Sequence, residues 1–163
     1  LDNYYERIQK KTADFLEICC ELGGLVGGLP EEDTKKLAEY GHCIGMAFQI
    51  TDDVLDIMQT SEQIGKPAGN DIRQGIVTLP VIHALNVSAN AEELAEIVTN
   101  PEMTGEMVER ALEIVRMTDG VEVAKAKADE YLERARQVIP ADLPAEIKDA
   151  FVQVADFIGD RDF

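Results

Sequence analysis

Apolar positions recur at helical spacing almost from end to end of the chain. Ile8, Phe15, Leu16, Ile18, Cys19 and Leu22 follow the three-and-four period of a helix over residues 4–22. That segment runs into Gly23-Gly24 and then Gly27-Gly28. The paired glycines predict close helix packing followed by a stop before Pro30. Glu31-Glu32-Asp33 places negative charge at the head of the next helix, which is predicted from about Thr34 to Met58. A stretch rich in Gly, Pro and Asn predicts a loop over residues 59–75. A third helix is predicted from Thr78-Leu79-Pro80 to about Asn86. Three or four shorter amphipathic helices follow, punctuated at Asn100-Pro101, Asp119-Gly120 and from Pro140 to Pro144. No alternating run of β-branched and polar residues predicts a sheet, and no solenoid-length repeat appears. The class is all-α. Residues 1–163 contain no internal linker and are expected to belong to one domain.

The segment Ile44 to Met58 breaks the amphipathic pattern. Ile44, Met46, Ala47, Phe48, Ile50, Val54, Leu55, Ile57 and Met58 cover almost every side of it, and a helix apolar all round is normally buried. Yet it carries Asp52, Asp53 and Asp56. Aspartate is a poor residue in a helix interior and costly to bury. Asp52 and Asp56 stand at i and i+4 and share a face, with about 5–6 Å between their β-carbons. Gln49 lies one turn earlier on nearly the same face, and Asp53 sits about 100° around the axis from Asp52. No Lys or Arg occurs between Lys36 and Lys66 to neutralise these acids. A pair of aspartates at a helix end often marks only a solvated acidic face; the surrounding apolar run favours a hard divalent cation with oxygen ligands. Mg²⁺ fits that description, and it usually bridges to phosphate oxygens.

Composition narrows the partners. The 163 residues hold 32 acidic and 15 basic side chains, a formal net charge of -17. Such a chain lacks the basic footprint of a nucleic-acid binder and is repelled by anionic membrane surfaces. No apolar run approaches the roughly 18 residues of a membrane span, and the polar start shows no secretory signal. No stable membrane anchor and a cytoplasmic location are expected. Cys19, Cys20 and Cys43 form neither a disulfide framework nor a zinc pattern, and are expected as free thiols. His42 and His83 are expected to be structural, and Met103, Met107 and Met117 to fill core gaps.

Two basic features accompany the acids. Gly65-Lys66-Pro67 presents a lysine on a restrained backbone, ten residues past the acidic cluster, where it could reach an anion bridged by metal. Lys10-Lys11-Thr12 lies on the first helix. Each feature taken alone is equally a solvated surface.

Taken together, the residues resemble a known family. The stretch GMAFQITDDVLD, followed by GKPAGNDIRQGIVTLP, resembles the trans-isoprenyl diphosphate synthases, the polyprenyl synthetases. Gly45, Phe48, Gln49, Asp52, Asp53 and Asp56 look like their second aspartate-rich motif. Gly65, Lys66, Gly69, Asp71, Gly75 and Thr78-Leu79-Pro80 look like the segment after it. YYERIQKKTADF resembles the Lys-Thr helix, with Lys11 and Thr12 at its diphosphate-contacting positions. The resemblance covers the whole chain and is strongest from Tyr4 to Leu85.

That resemblance implies an isoprenoid synthase type helical bundle around a deep cavity. Mg²⁺ would be held between two facing aspartate-rich motifs, with Asp52 and Asp56 as its ligands from this chain. Isopentenyl diphosphate would condense with an allylic diphosphate after the latter ionises. Lys11, Thr12, Phe48, Gln49 and Lys66 would contact substrate, and Asp52, Asp53 and Asp56 would act in catalysis together with Gln49, Lys11, Thr12 and Lys66. A homodimer is the family's usual state.

Two departures qualify the match. No second DDxxD with following arginines occurs in these residues, so the chain is expected to be the C-terminal half of such a domain. Ile76 stands where the family's Gly-Lys-x-Thr pattern has Lys. The alternative reading is a non-catalytic or regulatory subunit; a terpene cyclase of the same fold is weaker, because the Lys-Thr helix and Gly-Lys-Pro loop argue against it. A half-bundle is also expected to leave the apolar faces of Ile44 to Met58 without partners.

Overall fold

The computed structural model describes residues 1–58 and 68–161. Every regular element among them is helical. α1 (Asp2–Ile8) continues through a π-helical turn, Gln9–Ala13, into α2 (Asp14–Val26). Then come α3 (Glu31–Met58), α4 (Asn70–Arg73), α5 (Leu79–Val87), α6 (Ala91–Val98), α7 (Gly105–Arg116), α8 (Gly120–Gln137) and α9 (Ala145–Gly159). The described chain divides into two compact units, one of residues 2–51 and 127–161, the other of residues 52–58 and 68–126. α3 and α8 contribute to both.

In the first unit α1, α2 and most of α3 are joined by the end of α8 and by α9. Its core gathers Tyr40, Cys43, Ile44 and Ala47 of α3 with Leu132, Ala135, Ala155 and Ile158. The Tyr40 ring meets the Phe151 ring edge-on at 4.7 Å, and its hydroxyl donates to the Phe151 carbonyl at 2.7 Å. A buried phenol thus keeps a partner, as burial requires. Cys43 is almost fully enclosed, and burial pushes its thiol up to about 11, so it stays protonated at neutral pH. Two glycines decide how closely α3 approaches the first helices. A β-carbon on Gly41 would strike the backbone of Leu16 and Glu17, and one on Gly45 would fall 2.5 Å from the Ala13 α-carbon. Gly24 is likewise pressed against Thr34. The close packing predicted for Gly23-Gly24 is therefore present at Gly24 alone, Gly23 being open, and Gly41 and Gly45 pack more tightly still.

In the second unit, α7 is a clear case of periodicity producing burial. Val108, Ala111, Leu112, Ile114 and Val115 are buried, while Glu106, Glu109 and Glu113 face water. Thr104 caps its N-terminus by accepting from the Met107 amide at 3.3 Å. The Arg110 guanidinium forks onto both carboxylate oxygens of Glu93 at 2.8 Å, joining α7 to α6.

Several boundaries and environments differ from the sequence expectation. The first helix runs from Asp2 to Val26 and carries an inserted π turn, which no local periodicity signals. α3 starts three residues earlier than expected, with Glu31, Glu32 and Asp33 inside its first turn. Of the expected loop, residues 59–67 lie outside the described residues, and Asn70–Arg73 forms a helical turn. Met117 is exposed rather than core filler, whereas Met103 and Met107 are half-buried. The unpartnered apolar surface is also elsewhere. Ile44, Met46, Ala47, Ile50, Val54, Leu55 and Ile57 are all buried within this chain, and only Met58 among the large apolar residues of the segment is exposed. The open stripe lies on α2 instead, where Phe15 is 67% and Val26 88% exposed, with Ile18, Leu22 and Leu25 between them. The reason is packing: α3 is enclosed by its neighbours, while the turns of α2 have neighbours on one side only.

Candidate functional site

The last two turns of α3 carry the three aspartates. Val54 and Ile57 anchor these turns in the interior, being almost fully buried. That burial fixes where the intervening acids can point. Asp52 and Asp56 are half-buried, and Asp53 is buried, at 6% exposure. Asp53 is thus the most enclosed of the three, an order that angular separation on a helix could not supply.

Asp56 has a specific job in the structure. One carboxylate oxygen accepts from the Asn70 amide at 3.0 Å and the other from the Asp71 amide at 2.9 Å. The Asp56 carbonyl also accepts from the Gly69 amide at 3.0 Å. Gly69 makes this possible, because its φ of 70° turns the chain into the left-handed region that favours glycine. The short helix α4 then closes on Gly75, also at φ 70°. Gly75 and Ile76 donate to the carbonyls of Ile72 and Asp71 at 2.9 and 2.8 Å, a Schellman arrangement. Ile76 occupies the position where a hydrophobic residue commonly accompanies that motif, and it is half-buried. The guanidinium of Arg116 donates to the Ile57 carbonyl at 2.9 Å through Nε and at 2.5 Å through Nη2. It gives the Ile57 carbonyl, near the last described turn of α3, a side-chain partner from α7. Sequence reasoning missed Arg116 altogether, since 59 positions separate it from Ile57.

These bonds predict a stability cost. Asp56→Ala leaves two amides at the start of α4 without their acceptor, and each such loss costs about 1–3 kcal/mol. Urea denaturation followed by circular dichroism is expected to show a lower midpoint at an unchanged slope. An unchanged midpoint would mean that water replaces the carboxylate at no cost.

The Lys-Thr segment sits in the π turn. Thr12 is half-buried, and its hydroxyl donates to the side-chain carbonyl oxygen of Gln49 at 2.7 Å. Gln49 is 4% exposed, so the bond satisfies a buried amide. It engages the amide oxygen and leaves the NH₂ group as the donor. Lys11 is exposed, and the neighbouring Lys10 is paired with Glu6 at 2.5 Å. The Phe48 ring is half-buried, with the Arg161 guanidinium 5.1 Å from its centroid. Lys66 lies outside the described residues. Of the residues singled out by sequence, Thr12 and Gln49 are therefore in direct contact, and Asp56 meets Asn70 and Asp71. His42 and His83 both bond to carboxylates, Glu17 at 3.2 Å and Asp119 at 2.6 Å. Cys19 is exposed and Cys20 half-buried, and both are free thiols, as is Cys43. No helix among the described residues is long and apolar enough to cross a membrane.

Comparison with known proteins gives consistent answers. The family model described as Polyprenyl synthetase matches residues 1–115. Component 2 of heptaprenyl diphosphate synthase from Geobacillus stearothermophilus is 39% identical over all 163 residues, which are 50% of its own length. The crystal structure of heptaprenyl diphosphate synthase from Staphylococcus aureus superposes with a TM-score of 0.89 at 31% identity, covering 100% of this chain and 51% of that one. The polyprenyl synthase of Caulobacter crescentus, solved with calcium and isoprenyl diphosphate, gives 0.86 at 32% identity, covering 97% of this chain and 49% of that one. The fold is the all-α isoprenoid synthase fold expected from the sequence. The chain spans about half the length of the curated relatives it matches.

Proposed function

The chain belongs to the polyprenyl synthetase family, and on that premise we propose that residues 1–163 are the C-terminal portion of one cytoplasmic prenyltransferase domain. The reaction is condensation of isopentenyl diphosphate with an allylic diphosphate to give a polyprenyl diphosphate. The observation that carries this reading is the acidic end of α3: three aspartates, half-buried or buried, on turns anchored by Val54 and Ile57. Their donors are oxygen only, which suits Mg²⁺. Asp52 and Asp56 would hold the ion, each Asp56 oxygen keeping a lone pair beyond its bond to an amide. The bound ion supplies neutralisation of diphosphate charge as the allylic bond ionises.

The chain's own residues account for the rest of the task. Asp53 sets the field behind the ion from a buried position. Thr12 fixes the Gln49 amide so that its NH₂ group can donate to a substrate oxygen. Phe48 and the apolar residues of α3 exclude water from a carbocation, which water would otherwise quench. Lys11 and Lys66 bind diphosphate oxygens by charge-assisted hydrogen bonds. The companion aspartate-rich motif comes from residues other than these 163, and the working unit is a homodimer.

The lysines provide the test of substrate class. Replacing Lys11 or Lys66 by Ala is expected to weaken binding of a non-hydrolysable allylic diphosphate analogue by about 1.5–3 kcal/mol each, read by calorimetric titration with Mg²⁺ present. Unchanged affinity in both variants would remove the diphosphate reading of these residues.

A second reading is favoured by one observation. Ile76, at the Schellman position after α4, carries no charge where the family pattern has a lysine. A non-catalytic or regulatory subunit that acts with a catalytic partner would tolerate that loss. Sequence upstream of Leu1 separates the two readings: a DDxxD followed by arginines supports the enzyme, and a start codon just before Leu1 supports the subunit.

A further inference from the structure

A second group of metal-ligating side chains lies on α2 and α3, among residues the proposed reaction does not use. Asp14 and Glu17 stand one turn apart on α2, and His42 faces them from α3. One ligand atom from each lies within 4.8 Å of the others, and all three side chains are half-buried. Ligands of a single zinc ion lie about 3–4 Å apart, given bond lengths near 2.0–2.2 Å, so small rotamer shifts close the set. The arrangement follows from the backbone. Gly41, next to His42, lets α3 meet the Leu16-Glu17 backbone in hard contact. The π turn ending at Ala13 sets the angular position from which Asp14 and Glu17 project.

The surroundings bear independently on a ligand. A cleft of about 500 Å³ opens at this point, lined by Gln9, Glu17, Glu21, Lys35, Glu39 and His42. Its cation and one of its acids are held in ion pairs of their own, Lys35 to Glu31 at 2.6 Å and Glu39 to Arg134 at 2.6 Å. The cleft thus gathers carboxylates around one imidazole, and its lysine is held by an acid outside the lining. His42 Nδ1 already points at the Glu17 carboxylate, 3.2 Å away. A metal to one side of that line, at about 2.0–2.2 Å from each atom, would take Nδ1 and the carboxylate oxygen together.

We propose that Asp14, Glu17 and His42 form a binding site for a borderline divalent transition cation of the Zn²⁺ class. One imidazole nitrogen and two carboxylates suit such an ion better than Mg²⁺, which prefers oxygen alone. The site has three protein ligands and leaves a coordination position open to water. It does not rest on the prenyltransferase reading, because none of its ligands belongs to the aspartate-rich motif.

The test uses the 163-residue chain with Cys19 and Cys20 replaced by Ser, so that the exposed and half-buried thiols of α2 do not compete. Co²⁺ is titrated as the probe, followed by visible absorption and by paramagnetic broadening of the His42 ring signals in NMR, and is then displaced with Zn²⁺. The expected result is one equivalent bound, with His42 broadened first and a millimolar excess of Mg²⁺ failing to displace it. His42→Gln and Glu17→Gln are each expected to weaken binding by at least about tenfold without changing the helical signal. Binding that survives His42→Gln, no saturable binding, or first broadening at Asp52 to Asp56 overturns the proposal. Should His42→Gln lower helicity, the broadening pattern in the parent chain decides alone.

Discussion

Asp52→Ala in the whole protein is expected to lower turnover by at least about two orders of magnitude, with the helical circular dichroism intact. Removing a preorganised group that stabilises developing charge typically costs that much. Asp52 is half-buried near the end of α3, so replacing it by Ala opens no core cavity. The loss should therefore appear in catalysis before it appears in stability. Asp53→Ala is the informative comparison. Asp53 is the more deeply buried acid, so its replacement is expected to lower the melting temperature and to reduce turnover less than Asp52→Ala does. The same assay, run with Mg²⁺, an allylic diphosphate and isopentenyl diphosphate, also tests the 163 residues by themselves. They are expected to make no product, because they carry one aspartate-rich motif. Equal and negligible effects of the two substitutions would end the metal assignment, and robust product from the 163 residues would end the half-site reading.

The second large effect concerns Gly41. A methyl group there meets the Leu16 carbonyl oxygen in hard contact, the Leu16 carbonyl carbon at 2.7 Å and the Glu17 amide nitrogen at 2.9 Å. All three are backbone atoms and none can rotate away. Overpacking of this kind costs about 1–3 kcal/mol or more, which for a chain this long lowers Tm by roughly 2–12 °C. Gly23→Ala is the control. Gly23 is exposed on α2, and a β-carbon there meets nothing within 4 Å. Alanine has the better helix propensity, so that variant is expected to gain about 0.5–1 kcal/mol. Thermal melts of the two variants should move in opposite directions. A Gly41→Ala protein as stable as its parent would show that α3 does not rest on the backbone of α2.

The sequence alone established the helical class, the rough extent of α3 and the family. Each is carried by local pattern: apolar spacing, glycine and proline punctuation, and motifs that occupy consecutive residues. It also singled out Asp52, Asp53 and Asp56 as candidates, because acids in an apolar helix conflict with their surroundings whatever the tertiary fold. Tertiary structure alone decided which side of each helix finds a partner. Ile44 to Met58 was expected to be left open, yet it is enclosed, and the open apolar stripe runs along α2 from Phe15 to Val26. Periodicity identifies an apolar face but not the element that covers it. The same limit applies to polar partners. The Asp56 carboxylate on the Asn70 and Asp71 amides, Arg116 on the Ile57 carbonyl and Thr12 on Gln49 join residues between 14 and 59 positions apart. Such pairs exist only once backbone packing brings them together. Here that packing is set by glycines too small to hold the helices apart and by one inserted π turn, whose effect on side-chain direction no local pattern records.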